Sequence, residues 1–322
     1  MISEKVILGI DTSNYTTSVA IISLDGKLVA NLKRPLQVKA GERGLRQSDA
    51  LFMHTVNLPV LMAEAKDILQ GRTPVAIGVS ERPRNVLGSY MPCFLAGVSC
   101  AEASRVVSNL PIYKFSHQCG HIMAAVFSSG RYDLLDGEFA AFHISGGTTE
   151  FVKVKPQDHG FETELFGGTA DLNAGQVIDR IGVLMDLPFP AGVHLEKLVL
   201  QNTKKVPKKA ISANGMTVNL SGLENLAANL YRETQDKALV AAFVLDFIGK
   251  TIEKLTENVR NLYQNAKIIF AGGVMSNLII QKRLDTAFKE VYFAKPEFSS
   301  DNASGSALLT RKKYLEKEDC NG

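Results

Sequence analysis

One pattern occurs twice in this chain and limits its fold more than any other feature: two strand-like runs joined by a short turn and followed by helical segments. Runs of β-branched and aromatic residues bounded by turn residues are typical of strands. The first copy has such runs at residues 6–10 and 18–23, and the second has them at residues 139–144 and 149–154. A chain of 322 residues is long enough for about two domains. The repetition therefore predicts two similar α/β lobes with a central cleft, where ligand sites commonly lie.

Further segments extend both copies. A turn at Asp25-Gly26 leads into a third strand, so we expect the first copy to be an antiparallel meander. Apolar residues at helical spacing predict a long amphipathic helix over residues 235–263. The remaining predicted elements are helices at residues 49–69 and 88–107 and strands at residues 27–30, 75–79, 111–113 and 267–270.

The composition excludes several classes of protein. With 45% hydrophobic and 21% charged residues, the chain is typical of globular and not of disordered or fibrous proteins. No apolar run approaches the roughly 20 residues that span a bilayer, and the chain does not begin with a signal-peptide pattern. We therefore expect a cytoplasmic protein without a membrane partner. Four irregularly spaced cysteines fit neither a disulfide framework nor a CxxC metal site, and are expected to be buried thiols: Cys93, Cys100, Cys119 and Cys320.

The charge pattern leaves the partner open. A net charge of +3 neither requires nor excludes a nucleic acid. Basic residues nevertheless cluster in two places, which are Lys33, Arg34, Lys39, Arg43 and Arg46, and then Lys204, Lys205, Lys208 and Lys209. Each cluster is either a solvated loop or a local anion-binding face.

Three turns directly follow predicted strands. They are Asp11-Thr12-Ser13, Ser145-Gly146-Gly147-Thr148-Thr149 and Gly272-Gly273-Val274-Met275-Ser276-Asn277. Successive N–H groups and hydroxyls in such turns can cradle a phosphate, whereas a Gly-Gly turn between strands is also a common hairpin that requires positive φ. Three such turns, spread over both lobes, are more than hairpin connections alone require, which favours a ligand-binding role. None of them has P-loop or GxGxxG spacing.

The segment His117-Gln118-Cys119-Gly120-His121 indicates a metal site. Histidines four positions apart on a helix project from one face and can share an ion. Because Gln118 stands where HExxH metalloproteases carry their glutamate base, that class of enzyme is disfavoured. The alternative is two partly buried histidines with ordinary hydrogen bonds. Asp301, ahead of a predicted helix over residues 303–309, is either a third metal ligand or a helix N-cap.

A further aspartate could contact a nucleotide. The segment 171–180 reads as the start of a helix that carries Asp179 about two turns in, and a turn at residues 187–192 ends that helix. On a solvated helix face Asp179 has no special role, whereas in a nucleotide cleft it is a natural acceptor for ribose hydroxyls.

Taken together, these motifs resemble those of the tRNA N6-threonylcarbamoyladenosine transferases, once described as O-sialoglycoprotein endopeptidases, within the actin/hexokinase-like ATPase superfamily. The resemblance extends over nearly the whole chain, and eight ordered matches are far more specific than any one motif. In chain order the matches are residues 8–13, residues 117–121, Ser145-Gly146-Gly147, Ala174-Gly175 with Asp179, residues 188–192, Ser221-Gly222-Leu223, Gly272-Gly273-Val274 with Asn277, and residues 300–303.

The resemblance implies a fold and a set of site residues. The fold is α/β, with one ribonuclease-H-like lobe over residues 1–130, completed by a C-terminal helix at residues 302–320, and a second over residues 131–301. One divalent metal ion, iron(II) or zinc, is implied, with His117, His121 and Asp301 as its ligands and with Asp11, His117 and His121 as catalytic residues. The implied binding positions for an adenine nucleotide, threonylcarbamoyl-AMP or ATP, are Ile144, Ser145, Gly146, Gly147, Thr148, Asp179, Gly192 and Asn277.

The resemblance also implies a reaction and partners. The family transfers a threonylcarbamoyl group from threonylcarbamoyl-AMP to N6 of the tRNA adenine beside the anticodon. Its bacterial members work with a smaller paralogue of the same fold and a small ATPase. A metal with two histidines, one carboxylate and open positions can polarise the carbonyl in such an acyl transfer, and these ligands suit iron(II) and zinc equally.

Several positions depart from the family pattern, and their motifs group around the cleft. The family's Gly-Pro-Gly loop is Ser80-Glu81-Arg82-Pro83-Arg84-Asn85 here, and residues 41–48 lack the usual Gly-Gly-Val-Val-Pro-Glu. Leu172, Gln176 and Thr148 replace an Asp, a Glu and a His. Two alternatives follow: a divergent paralogue that carries a carbamoyl group to another acceptor, or a non-catalytic nucleotide-binding scaffold. The complete set of His117, His121 and Asp301 favours catalysis.

Overall fold

The computed structural model of the chain describes residues 3–13, 15–37, 45–158, 160–211 and 213–321. Its strands are β1 (Glu4–Asp11), β2 (Thr16–Ser23), β3 (Leu28–Pro35), β4 (Arg72–Arg82), β5 (Ile112–Ser116), β6 (Phe139–Ile144), β7 (Thr149–Gln157), β8 (Gly160–Thr169), β9 (Ala213–Asn214), β10 (Thr217–Val218), β11 (Ile268–Ala271) and β12 (Val291–Phe293). Its helices are α1 (Gln47–Ile68), α2 (Phe94–Ser108), α3 (His117–Ser129), α4 (Ala174–Leu184), α5 (Gly192–Val199), α6 (Ser221–Thr234), α7 (Lys237–Leu262), α8 (Leu278–Ala287), α9 (Pro296–Ser299) and α10 (Ser304–Asn321).

These elements fall into two compact units. Unit 1 comprises Met1–Phe127, Gln157–Glu162 and Ser300–Gly322, and unit 2 comprises Ser128–Pro156 and Thr163–Ser299. The sheet of unit 1 has the strand order β3-β2-β1-β4-β5. Its first three strands pair antiparallel, as the predicted meander requires, and β4 and β5 add in parallel.

Helix α10 lies against the sheet of unit 1 at very short range. A Cβ on Gly9 of β1 would lie 2.5 Å from the carbonyl oxygen of Ala303, and a Cβ on Gly78 of β4 would collide with the Thr310 hydroxyl. Only glycine fits at such positions, because any side chain would force the helix away. These two glycines therefore set the position of the start of α10, just after Asp301.

Unit 2 has a larger sheet with the order β12-β11-β6-β7-β8-β10-β9. β6 pairs antiparallel with β7 and parallel with β11, so the arrangement β8-β7-β6-β11-β12 repeats the strand order of unit 1. Helix α7 packs its apolar face, including Phe243 and Ile248, into the same core as Phe142 and Phe270 of the sheet. Full burial of each such side chain stabilises the fold by about 1.5–3 kcal/mol.

Several predicted elements have different bounds in the structure. The helix predicted from residue 88 begins only at Phe94, and Gly88 itself has φ +78°, which is incompatible with a right-handed helix. Strand β3 is longer than predicted, and β8 was not predicted at all. Strand β8 contains several half-exposed or exposed residues, including Glu162 and Glu164, which hide the apolar signal of a strand.

The expectation about the cysteines is only partly correct. All four are free thiols, and Cys93 and Cys119 are buried, but Cys100 is half-buried and Cys320 is exposed near the end of α10. Burial of Cys320 was therefore a wrong prediction. In the part of the chain that the structure describes, we find no helix with the length and apolar character of a membrane span.

Candidate functional site

Two histidines and an aspartate converge in unit 1. Because β5 ends at Ser116, helix α3 starts at His117 and brings His121 one turn later onto the same face. Asp301 approaches from the segment before α10. The Nε2 atoms of His117 and His121 are 2.8 Å apart, and Asp301 Oδ1 lies 3.4 Å and 3.3 Å from them.

Glycine packing allows this convergence. A Cβ on Gly305 of α10 would collide with the backbone of Gly120 on α3. The backbones of the two helices therefore touch, which brings the histidines of one beside the aspartate that precedes the other. The capping alternative for Asp301 does not hold, because the side chain of the next residue, Asn302, accepts the Ser304 N–H at the start of α10.

Asp11 lies behind this cluster and orients it. His117 Nδ1 donates a hydrogen bond to Asp11 Oδ2 at 2.9 Å, and Asp11 Oδ1 accepts the backbone N–H of Ser13 at 2.7 Å. The Asp11 side chain is 1% exposed. A carboxylate bound to the far nitrogen of a histidine directs the other nitrogen to the ligand side. Asp11 therefore reaches the candidate site through His117.

Burial and charge act against each other in this cluster. Burial lowers the pKa of His117, but the carboxylates of Asp11 and Asp301 outweigh it and raise the pKa above its usual value. Burial and the charge on His117 lower the pKa of His121. Burial raises the pKa of Asp301, but the two histidines outweigh it and hold the pKa well below its usual range. The two carboxylates thus favour the charged form of His117, whereas burial and that charge disfavour the charged form of His121.

The donor set fits a divalent metal ion. The ligand atoms of His117, His121 and Asp301 all lie within 4.8 Å of one another. Two imidazole nitrogens and one carboxylate oxygen are typical ligands of iron(II) and zinc, and they leave coordination positions open. The predicted ligands thus come together from distant parts of the sequence, and their role as ligands stays a prediction.

The loop that departs from the family pattern contacts the same helix. The Gln118 N–H of α3 donates to the Pro83 carbonyl at 3.0 Å. Asn85 donates from its side chain to Cys119 Sγ at 3.2 Å and to the Phe161 carbonyl at 3.0 Å. Residues 80–85 therefore hold the first turn of the helix that carries both histidines.

The predicted nucleotide-binding turn lies in unit 2, between β6 and β7. The Ser145 N–H donates to the Thr148 carbonyl at 2.7 Å, and the Ser145 hydroxyl accepts the N–H groups of Gly147 and Thr148. The positive φ that the hairpin alternative requires is absent at Gly146 and Gly147. At the neighbouring Gly175 of α4 a lack of space requires glycine, because a Cβ there would lie 2.6 Å from the Gly146 nitrogen. The start of α4 is thus pressed against the turn.

Asp179 lies beside this turn on α4. Its Oδ1 accepts the Ala191 N–H at 2.8 Å, and its Oδ2 would be 3.9 Å from a Cβ on Gly146. Burial raises the pKa of the Asp179 carboxyl. Ala191 directly precedes Gly192, the first residue of α5, where a Cβ would meet open space. Asp179 therefore lies between two turns: its Oδ1 binds the backbone beside Gly192, and its Oδ2 lies near Gly146.

Asn277 begins α8, and its side chain is largely used within the fold. Its Oδ1 accepts the N–H groups of Ile279 and Ile280, and its Nδ2 donates to Glu196 Oε2 at 3.0 Å. Glu196 Oε1 also accepts the Leu278 N–H. Sequence reasoning missed Glu196, whose only local signal is its position one turn after Gly192. The turn that begins at Gly272 also packs closely against the end of β6, since a Cβ on Gly272 would collide with the Ile144 carbonyl.

The basic clusters differ in what the structure places around them. Lys39 and Arg43 lie outside the described residues. Lys33 donates to the Ser300 hydroxyl at 3.1 Å, and Arg34 lies 3.9 Å from Glu64. In the second cluster all four lysines are exposed, and Lys204 pairs with Asp236 at 2.8 Å.

Comparison with known proteins identifies a family that this sequence matches. The family model described as TsaD, tRNA N6-adenosine threonylcarbamoyltransferase, matches residues 48–307. A tRNA N6-adenosine threonylcarbamoyltransferase of Streptococcus suis (strain 05ZYH33) is 28% identical over 334 residues, which cover 98% of this chain and 94% of the relative.

Solved structures with low sequence identity share the fold. The activator of the 2-hydroxyisocaproyl-CoA dehydratase from Clostridium difficile, with bound ADPNP, has a TM-score of 0.53 at 12% identity, covering 97% of each chain. A ROK family glucokinase from Streptomyces griseus, in complex with glucose and AMPPNP, has a TM-score of 0.52 at 10% identity, covering 94% of this chain and 98% of the other. These similarities show an α/β fold of the actin/hexokinase-like type.

Proposed function

The chain belongs to the TsaD family of tRNA N6-adenosine threonylcarbamoyltransferases, as its ordered motifs predicted, and from this premise we propose a metal-dependent transfer of threonylcarbamoyl from threonylcarbamoyl-AMP to N6 of the tRNA adenine beside the anticodon. In this reaction N6 bonds to the carbamoyl carbon, the bond from that carbon to the phosphate oxygen breaks, and AMP leaves with the electron pair while N6 loses a proton. The observation that carries the metal dependence is the convergence of His117, His121 and Asp301.

The three side chains would hold one divalent ion, iron(II) or zinc. Lewis-acid polarisation of the transferred carbonyl is the chemistry that such an ion supplies when bound. The chain's own residues keep the ligands in place: Asp11 holds the His117 ring through Nδ1, and the His121 ring is buried, with 5% of its side chain exposed. Because both oxygens of Asp11 already accept hydrogen bonds, we assign its catalytic contribution to orienting His117.

The turns of unit 2 would bind the adenylate. We propose that residues 144–148 present backbone N–H groups to its phosphate, while Asp179 Oδ2 accepts a ribose hydroxyl. The exposure of Gly146 and Gly147 and the free space around Gly192 support this assignment. Asn277 would act beside them, with its amide oriented by Glu196. Both solved structures named above hold adenine nucleotide analogues, which supports nucleotide binding by this fold.

The substrate and partners follow from the family. We propose that tRNA phosphates contact the exposed lysines 205, 208 and 209. We also propose the two lobes at residues 1–130 with 302–320 and at 131–301, and two partners, a smaller paralogue of the same fold and a small ATPase. Three exposed apolar side chains on α1 support a protein partner there: Phe52, Val56 and Val60 recur every four residues and are 69%, 54% and 38% exposed.

The two alternatives make different predictions. A carbamoyltransferase acting on another acceptor would turn over its carbamoyl donor without tRNA, and the altered loop at residues 80–85 is the feature that favours it. A non-catalytic scaffold has no chemical need for a complete metal-ligand set, so the retained His117, His121 and Asp301 support an enzyme.

The test is a transfer assay with purified components. The chain and its two partners are incubated with unmodified tRNA and with threonylcarbamoyl-AMP labelled in the threonine, and label on tRNA is counted. We expect transfer by the wild type and none by Asp301→Ala. A matched control is Asp285→Ala, which removes a surface carboxylate from α8. Failure of the wild type to modify tRNA from authentic adenylate would refute the proposed function.

A further inference from the structure

Two serines from distant parts of unit 1 meet behind the metal cluster. Ser80 Oγ on β4 lies 2.7 Å from Asp11 Oδ2 and 3.0 Å from Ser306 Oγ on α10. Both serines are completely buried. Neither residue belongs to the proposed ligand set, and sequence reasoning assigned no function to either hydroxyl.

The chemistry of the acceptor sets the direction of these hydrogen bonds. Asp11 Oδ2 accepts from His117 Nδ1 at 2.9 Å, and as a carboxylate oxygen it also accepts from Ser80. A hydroxyl carries a single proton, so Ser80 has none left for Ser306. Ser306 must therefore donate to Ser80. The chain of donors runs from Ser306 through Ser80 to Asp11, where it meets the bond from His117.

We propose that Ser306 and Ser80 are positioning residues for the metal centre, acting through Asp11 on the imidazole of His117. This inference rests on the proposed metal site. The hydroxyl of Ser80 holds Asp11 Oδ2, the oxygen that also accepts from His117, and Ser306 fixes the rotamer of Ser80. Oriented in this way, Asp11 accepts the hydrogen bond from His117 Nδ1–H and leaves Nε2 directed at His121 and Asp301.

The position of Ser306 on α10 gives the arrangement a further property. Asp301 precedes the first turn of this helix and Ser306 lies within it, and glycines hold this turn against α3 and the sheet. One segment therefore supplies the carboxylate ligand directly and orients an imidazole ligand through two serines and Asp11. A small displacement of α10 would alter two of the three ligands together.

The experiment measures metal affinity and not only activity. Ser80→Ala, Ser306→Ala and the double variant are compared with wild type in full-length protein. Cobalt(II) is titrated in competition with a chelator, and the visible absorption bands of the bound ion report its ligand geometry. Thr310→Val is the matched control, because it removes another buried hydroxyl from α10 whose only described bond is to the Ser306 carbonyl of its own helix.

We expect Ser80→Ala to weaken cobalt binding by roughly 10-fold and to shift the absorption bands. Ser306→Ala should weaken binding less, and the double variant should bind as weakly as Ser80→Ala, because both hydroxyls act in one chain. Thr310→Val should bind as the wild type does. Ser80→Thr, which keeps the hydroxyl, should restore affinity and the wild-type bands.

Thermal melting of the metal-free proteins separates these effects from a loss of folding. Wild-type affinity and bands in folded Ser80→Ala and Ser306→Ala would overturn the inference while leaving the metal site intact. Equal losses in Thr310→Val and Ser306→Ala would also overturn it, as an effect of helix stability. Absence of cobalt binding by the wild type would refute the metal site itself, and the inference with it.

Discussion

The candidate site in unit 1 is made of side chains, whereas the candidate site in unit 2 is made of backbone turns that glycines bring together. His117 is oriented by its hydrogen bond to Asp11, and the side chains of His121 and Asp301 contact His117 and each other. By contrast, the turn at Ser145-Gly146-Gly147 owes its surroundings to Gly175, where no Cβ would fit.

The difference predicts two kinds of sensitivity. A site of charged side chains should fail when one charge or one orienting bond is removed, since the remaining buried groups lose their partners. A site of backbone turns should tolerate polar substitutions nearby and fail when volume is added at a close contact. Variants in one unit should therefore leave the ligand of the other unit bound.

The largest effect is expected for His121→Ala. We predict that bound metal falls from about one per chain to none, and that transfer to tRNA falls by more than about 10²-fold. ATP affinity, measured by calorimetry, should stay unchanged because the nucleotide turns lie in the other unit. A parallel loss of ATP binding would break the separation of the two sites.

Gly175→Ala tests the backbone site. The new methyl would lie 2.6 Å from the Gly146 nitrogen, and such overpacking costs about 1–3 kcal/mol. We predict weaker ATP binding with unchanged metal content. Gly222→Ala is the matched control, a glycine in the first turn of α6 with no atom near its added Cβ. Equal ATP affinity in the two variants would contradict the close-contact account.

Asp179→Asn tests the ribose acceptor. We predict a loss of adenosine affinity of about 1.5–3 kcal/mol, the usual contribution of a hydrogen bond to a charged group. Since burial raises the pKa of Asp179, wild-type affinity should fall on acidification at a higher pH than for an ordinary aspartate, and the asparagine variant should lack this fall. Adenosine is the probe because it has no titrating phosphate. The same pH profile in both proteins would exclude Asp179 as the acceptor.

The smallest effect is expected for Asp171→Ala, which leaves both sites in place. Asp171 accepts the N–H groups of Leu220 and Ser221 at the start of α6 at 2.8 Å and 3.0 Å. Burial raises its pKa, but hydrogen bonds from Ser221, Leu220 and Leu172 outweigh burial and hold the pKa below its usual range. We predict a loss of about 1 kcal/mol in unfolding free energy at pH 7.

The pH dependence of that loss has a definite sign. A carboxyl with a depressed pKa in the folded state stabilises the protein above its unfolded pKa, and the stabilisation disappears as pH falls through the folded value. The difference between wild type and Asp171→Ala should therefore be full at neutral pH and shrink below pH 3.8. Urea unfolding at several pH values measures it, and a difference that grows on acidification would be inconsistent with the hydrogen bonds described.

Local patterns predicted the parts of the molecule that local chemistry determines. The i, i+4 spacing of His117 and His121 was enough to indicate a shared ligand face, and β-branched runs located β1, β2 and β6. The predicted start of α2 at Gly88 was wrong, because the positive φ of Gly88 places this residue in the loop before the helix.

The site features that the sequence did not predict depend on tertiary contacts between distant segments. Ser80 and Ser306 are 226 positions apart in sequence, and nothing near either serine indicates the other. Glu196 can accept the Asn277 amide only because α5 packs beside the start of α8, and this packing is not visible in the sequence. The need for glycine at residue 175 likewise comes from a neighbouring turn and not from the conformation of its own helix.

The most direct test of the central claim relates transfer to metal occupancy. Metal is removed from the chain with a chelator, iron(II) or zinc is returned in steps under anaerobic conditions, and bound metal and threonylcarbamoyl transfer to tRNA are measured on the same samples with both partners present. We predict no transfer at zero occupancy and a rise that saturates at about one ion per chain. Full transfer by the metal-free protein would contradict the account.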